Sequence, residues 1–134
     1  MASALEILEP NTVTQDQIAA GLRAFFKIMN DWKIDNDQAQ ILLGHPRRAT
    51  FFNWKRGKYG SGIRDYDLAA RLSYILGIYK ALQIFYQNPE LADQWVRKPN
   101  AAFGGQSALD RMLAGQITDL AFVRDYLDSV RGAW

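Results

Sequence analysis

The run Gln38-Ala39-Gln40-Ile41-Leu42-Leu43-Gly44-His45-Pro46-Arg47-Arg48-Ala49-Thr50-Phe51-Phe52-Asn53-Trp54-Lys55-Arg56-Gly57 reads as two short helices joined by a tight turn. Ala39, Leu42 and Leu43 share one face of the first helix, and Gly44 supplies the positive φ that stops it. Pro46 is expected to set φ at the first turn of the second helix. There Phe51 and Trp54, three apart, point inward, leaving Arg48, Ala49, Phe52, Asn53 and Arg56 on an outer face. Such a pair is a helix-turn-helix, and the outer face of its second helix is the candidate recognition surface.

Charge sharpens that reading. Between Asp37 and Asp65 there is no acidic residue, while Arg47, Arg48, Lys55, Arg56, Lys58 and Arg64 all fall there. The chain has 16 basic and 14 acidic residues in all, so its remainder carries ten basic against fourteen acidic. A local basic patch on a mildly acidic body suits a polyanion, because each cation placed on a phosphate releases a condensed counterion.

This region resembles the Xre-like family of bacterial repressors, in which a Leu-Gly turn precedes a recognition helix ending in a tryptophan, a basic residue and glycine. Leu43-Gly44 and Trp54-Lys55-Arg56-Gly57 stand in those places, with one residue more than the commonest form between the turn glycine and the tryptophan. The resemblance implies a DNA-binding set of Arg47, Arg48, Thr50, Phe52, Asn53, Lys55, Arg56, Lys58 and Arg64. Asn53 has the shape for bidentate contact to adenine, Arg48 or Arg56 for guanine, and Arg47, Lys55, Lys58 and Arg64 for phosphates. Phe52 suits either a thymine methyl or a core or dimer contact.

Upstream, residues 1–13 form an arm ending in Glu9-Pro10-Asn11. Thr14 and Gln17 have capping-box spacing, and Ile18, Leu22, Phe25, Phe26 and Met29 recur at helical intervals, predicting a helix from Thr14 to Asp31. Trp32 and Ile34 are expected to cover its end, and Asp35 or Asn36 to cap the next helix. The glycine-rich Lys58-Tyr59-Gly60-Ser61-Gly62 lacks the Gly-Lys-Ser/Thr ending of a phosphate loop and reads as a connector.

From Arg64 to Gln87 runs the longest helical pattern. Leu72, Ile75, Tyr79, Leu82 and Tyr86 continue a stripe at alternating steps of three and four. A second stripe includes Ala69, Leu76 and Phe85. One side is expected to be core and the first stripe a homodimer interface, unless later helices cover both.

Beyond Asn88-Pro89-Glu90, which reads as cap, first-turn proline and first-turn acid, a short helix should reach Trp95. A second should run from Ser107 to Leu113 and end at Gly115. Thr118 is expected to cap a last one carrying Leu120, Val123, Leu127 and Val130. Asn88-Pro89, Trp95, Pro99-Asn100, Phe103-Gly104-Gly105, Ser107, Leu109, Leu113 and Gly115 together resemble the toxin-binding domain of the Xre/MbcA/ParS antitoxins, with Ala108 where that family often has proline.

That resemblance implies a RES-domain toxin as partner, an enzyme that consumes NAD. It also implies operator DNA as a second partner, and a homodimer within the larger complex. The expected toxin-facing residues are Phe103, Gly104, Arg111, Asp128, Arg131 and Trp134; after Gly132 frees the chain, Arg131 and Trp134 suit a reach into or across the NAD cleft, the alternative being that Trp134 folds back onto its own helix. The expected architecture is all-α: residues 14–63 a helix-turn-helix bundle, 64–87 a long central helix and 88–134 a helical toxin-binding domain. A stand-alone dimeric regulator is the alternative.

Composition excludes much else. The chain is 134 residues long, enough for one packed unit, and 49% apolar, which argues against disorder. With no cysteine there is no disulfide, thiolate metal site or cysteine nucleophile, and the single histidine, His45, has no carboxylate cluster around it in the sequence. No enzyme activity and no cofactor are expected. No leader pattern and no run of eighteen apolar residues occurs, so a cytoplasmic protein with no membrane partner is expected.

Overall fold

The computed structural model describes residues 14–60 and 65–132. The arm 1–13, Ser61, Gly62, Arg64 and Trp134, which figure in the expectations above, lie outside the described residues.

Helix α1 spans Gln15–Trp32. Its capping box is complete: Gln17 N–H donates to Thr14 Oγ1 at 3.1 Å, and Thr14 N–H donates to Gln17 Oε1 at 2.8 Å. Ile18, Leu22, Phe25, Met29 and Trp32 form its buried face, and Lys33 ends it in the left-handed region at φ 58°. Asp35, not Asn36, caps α2 (Asn36–Leu42), accepting from Gln38 N at 2.8 Å.

The turn that follows uses two left-handed residues, Gly44 at φ +86° and His45 at φ +59°. Helix α3 (Arg48–Lys55) starts two residues beyond Pro46, with Arg47 at its N-cap and no side-chain capping bond. Proline therefore stiffens the turn and does not open the helix, which corrects the expected start. Phe51 is fully buried, its ring edge-on to Phe26 at 5.5 Å, so truncating it to alanine costs about 3–5 kcal/mol.

Helix α4 (Tyr66–Phe85) is capped by Asp65, which accepts from the N–H groups of Asp67 and Leu68. It is apolar around most of its circumference, the pattern of a helix buried on more than one side. Helix α1 packs on one side of it and α7 (Ile117–Gly132) on another. Between them lie α5 (Pro89–Gln94), two 3-10 turns (Trp95–Arg97 and Ala101–Phe103) and α6 (Ala108–Met112).

Asn88 caps α5 as expected, accepting from Glu90 N at 2.9 Å; Ser107, expected as the first residue of the next helix, is instead the cap of α6, accepting from Asp110 N at 3.0 Å. Thr118 does not cap α7, which has already begun at Ile117. The fold is all-α, and the buried apolar residues from Ile18 to Leu127 form one continuous core. Among the described residues no helix is long and apolar enough to cross a membrane.

That core overturns the expected self-association stripe. Leu72, Ile75 and Leu82 are at most 1% exposed, covered within the chain, so they have no surface to offer a second copy. Tyr79 and Tyr86 are half-buried. A long apolar pattern states how much apolar surface a helix has, not whose side chains cover it.

Three arginines, of which only Arg71 is buried, stitch the two halves. Arg71, only 7% exposed, donates to Asp67 Oδ2 (2.9 Å), to the Leu42 carbonyl (3.4 Å) and to the Gly115 carbonyl (2.9 Å). It thus joins the end of α2 to the turn before α7. Gly44 is required twice here, for its φ and because a Cβ would lie 2.9 Å from Arg71 Nε. Arg97 caps the end of α1 from the C-terminal half, donating to the carbonyls of Trp32 (2.8 Å) and Lys33. Arg124 on α7 donates to the carbonyl of Gly77 in α4, an approach a side chain at Gly77 would block.

Candidate functional site

Two surfaces carry the expected site residues. On the first, Arg47, Arg48, Asn53, Lys55, Arg56 and Lys58 are all exposed, and α3 presents them from a backbone anchored by Phe51. Thr50 is half-buried. Phe52 is half-buried, edge-on to Phe51 at 5.1 Å and beneath the Arg48 guanidinium at 4.9 Å, so part of its ring is engaged by the core. Trp54, expected inside, is only partly buried against the core.

The polar ties on this surface are loose. Arg48 lies 3.8 Å from Asp37 with both side chains largely solvated, a pair worth little in water. Lys55 Nζ donates to Asn36 Oδ1 at 2.6 Å, and Arg56 Nη2 to Asn53 Oδ1 at 2.7 Å. Arg47 and Lys58 make no ion pair with the described residues. Positive charge is therefore left available for phosphates.

Sequence reasoning missed one neighbour of this surface. Arg23 on α1 sits 5.8 Å from the Tyr59 ring centroid, and Gln15 Nε2 donates to the Gly60 carbonyl at 2.8 Å. The segment after α3 is thereby held against α1, extending the basic patch. No local signal ties Arg23 to Tyr59, 36 residues downstream; only the packing does.

The second surface is aromatic. Trp95 stacks on Tyr126 (6.3 Å, interplanar 16°), and Phe103 packs edge-on against Trp95, Tyr126 and Phe122 at 6.1, 5.2 and 5.9 Å. Phe103 is 9% exposed and so holds the cluster together from within, whereas Phe122 is 40% exposed. The ring on the surface is one that the expected set lacked. The Arg111 guanidinium carbon lies 3.9 Å from the Phe122 ring centroid while its Nε donates to Asp119 Oδ1 at 2.9 Å.

Asp119 is 9% exposed, and its other oxygen accepts from Gln116 N at 3.0 Å, closing the turn into α7. The acid three residues after Gln116 was the available signal for this helix start. Gly104, at φ +67°, is exposed beside Phe103. Asp128 pairs with Arg124 at 3.3 Å, and Arg131 is exposed on the last turn of α7. A groove of about 170 Å³ lined by Phe85, Tyr86, Trp95, Tyr126 and Val130 continues the aromatic surface between the ends of α4 and α7.

A polar knot joins α1 to α4. Lys27 Nζ and the Tyr79 hydroxyl both donate to Asp31 Oδ2, at 2.8 and 2.9 Å. The bond from Lys27 holds the Asp31 carboxyl below the ordinary aspartate range, and burial pushes the Tyr79 hydroxyl up. Across a cleft lined by Asp31, Lys33, Glu90, Asp93 and Arg97, burial first and then the charge of Asp31 push Asp93 upward. Among the described residues no group of three or more His, Cys, Asp or Glu side chains is placed to hold a metal ion. What the two surfaces offer is recognition: one cationic and polar, one aromatic with a clamped guanidinium.

Comparison with known proteins bears on the second surface. Residues 80–132, which include all of α5, α6 and α7, match the family described as the antitoxin Xre/MbcA/ParS C-terminal toxin-binding domain. A relative, the uncharacterized protein y4oB of Sinorhizobium fredii (strain NBRC 101917 / NGR234), is 47% identical over 116 residues, covering 87% of this chain and 88% of its own length. No solved structure matches the chain.

Proposed function

Since this chain belongs to the Xre/MbcA/ParS antitoxin family, we propose that the toxin it neutralises is a RES-domain, NAD-consuming enzyme and that the chain also represses its own operon. The observation that carries the toxin reading is the aromatic surface. The segment matching a toxin-binding domain exposes a phenylalanine, Phe122, under a guanidinium, Arg111, and aromatic and arginine side chains supply most of the binding energy at protein interfaces.

In this reading residues 88–134 hold the toxin. Phe122, Arg111 and Gly104 make the broad contact, and Arg131 with Trp134 blocks NAD entry by occupancy. Residues 14–63 read the operator through α3, with Arg47, Lys55, Lys58 and Arg64 on phosphates. A homodimer sets two such helices at half-site spacing. Its contact excludes the buried Leu72, Ile75 and Leu82.

The test is coexpression with a RES-type enzyme encoded beside it, followed by the mass of the complex and the rate of NAD loss. A stable complex with silenced NAD loss is expected. Phe122→Ala should weaken the complex roughly tenfold or more while changing stability little, because the ring is already partly in water. Arg131→Ala should restore NAD loss with a smaller effect on complex mass. Absence of any complex with such an enzyme rejects the RES assignment.

A further inference from the structure

We infer that Asn53 reads a guanine edge and not an adenine edge, and that Arg56 is the residue that makes it do so. The inference rests on the proposal that α3 enters the major groove. Arg56 Nη2 lies 2.7 Å from the Asn53 side-chain oxygen. A guanidinium has no acceptor, so the asparagine atom facing it is necessarily the carbonyl oxygen.

An asparagine that reads adenine donates from its amide nitrogen to N7 and accepts from the N6 amino group with its oxygen. Here that oxygen is already receiving a charged donor. Its second lone pair remains, but an amino group using it would lie against the N–H groups and positive charge of Arg56. The pair therefore turns outward as donors: the Asn53 amide N–H groups and the unused N–H groups of Arg56. Guanine offers two acceptors on its major-groove edge, N7 and O6, and no donor there, which matches that face.

Position supports the same partners. Asn53 is on the exposed side of α3, and Arg56 is its C-cap residue, one turn further along the same face. No acidic side chain is paired with Arg56 among the described residues, so none of them draws its guanidinium away from Asn53.

Selection of binding sites from a randomised duplex library, using the full chain at low salt, tests this. The wild type should prefer guanine at one position of each half-site by about tenfold or more. Asn53→Ala should flatten the preference at that position alone. Arg56→Met, which frees the asparagine oxygen, should shift the preference at the same position from guanine to adenine, while Arg56→Lys should keep guanine with a smaller margin. Unchanged helicity of the variants separates these results from unfolding.

Adenine selected by the wild type, or guanine retained by Arg56→Met, overturns the inference while leaving DNA binding intact. No selection of any duplex by the wild type overturns the operator reading itself.

Discussion

The arginines of the α2–α3 region and those of the C-terminal half have opposite environments. In the first region the basic side chains lean on amides, on a ring or on one distant carboxylate, and their charge faces water. In the second, residues 88–132 hold six acidic and five basic residues, and Arg97, Arg111 and Arg124 are all engaged with carbonyls or carboxylates of the chain itself. A charge held by the protein's own groups organises structure, while one left in solvent is available to a partner. The same residue type thus acts as a strut at Arg97 and Arg124 and stands in solvent at Arg47, Arg48 and Arg56.

The largest effect should come from separating the two regions. Fragments 1–87 and 88–134 each lose part of the one core, so both should lack cooperative thermal unfolding by circular dichroism. A cooperatively folded 88–134 fragment would break the picture of a shared middle.

Next in size is Arg71→Met in the intact chain. It leaves the Leu42 and Gly115 carbonyls without their donor and should lower stability by about 3 kcal/mol in urea unfolding, from the cost of abandoning buried hydrogen-bond partners. Because that side chain joins the end of α2 to the turn before α7, DNA binding and toxin neutralisation should weaken together. Loss of one alone would show that the strut does not couple the regions.

Surface cations should behave differently. Arg47→Ala and Lys58→Ala should leave stability within about 0.5 kcal/mol. Each should instead reduce the slope of log affinity for DNA against log salt by roughly one, with little change in base preference.

The smallest effect concerns Asp93. Its pKa is raised in the folded chain, so folding holds its proton more tightly and stability falls as pH rises through the window just above the ordinary aspartate value, roughly pH 4. Asp31, whose pKa is lowered, acts in the opposite sense, adding stability that disappears as pH falls below that value. Asp93→Asn should remove the first slope and leave the second, measured as urea midpoints across that range.

Much of the fold was legible because its signals are local. Thr14 with Gln17 and Asn88 with Pro89 are caps whose bonds close within one turn, and each forms. The outward face of α3 was legible in part: Arg48, Ala49, Asn53 and Arg56 are exposed, but Phe52, assigned outward, is half-buried against Phe51, and Trp54, assigned inward, is only partly covered. Phe122 and Arg23 were not legible. Each gains its meaning from a residue distant in sequence, Phe103 for one and Tyr59 for the other. Asp119 was obscured by Thr118, a cap-forming type that lies inside the helix, while Asp119 closes the turn from its third position by accepting from Gln116 N.

Residue order alone determined an all-helical chain, the turn at Gly44, the acid-free basic stretch and the pattern resembling a toxin-binding domain, because period, backbone freedom and charge are properties of neighbours along the chain. Tertiary packing alone decided that Leu72, Ile75 and Leu82 are interior, that Arg71 spans both halves, and that Phe122 and not Phe103 is the exposed ring of the C-terminal aromatic cluster. Those outcomes depend on which side chains share a volume, and helices far apart in sequence compete for the same faces of α4.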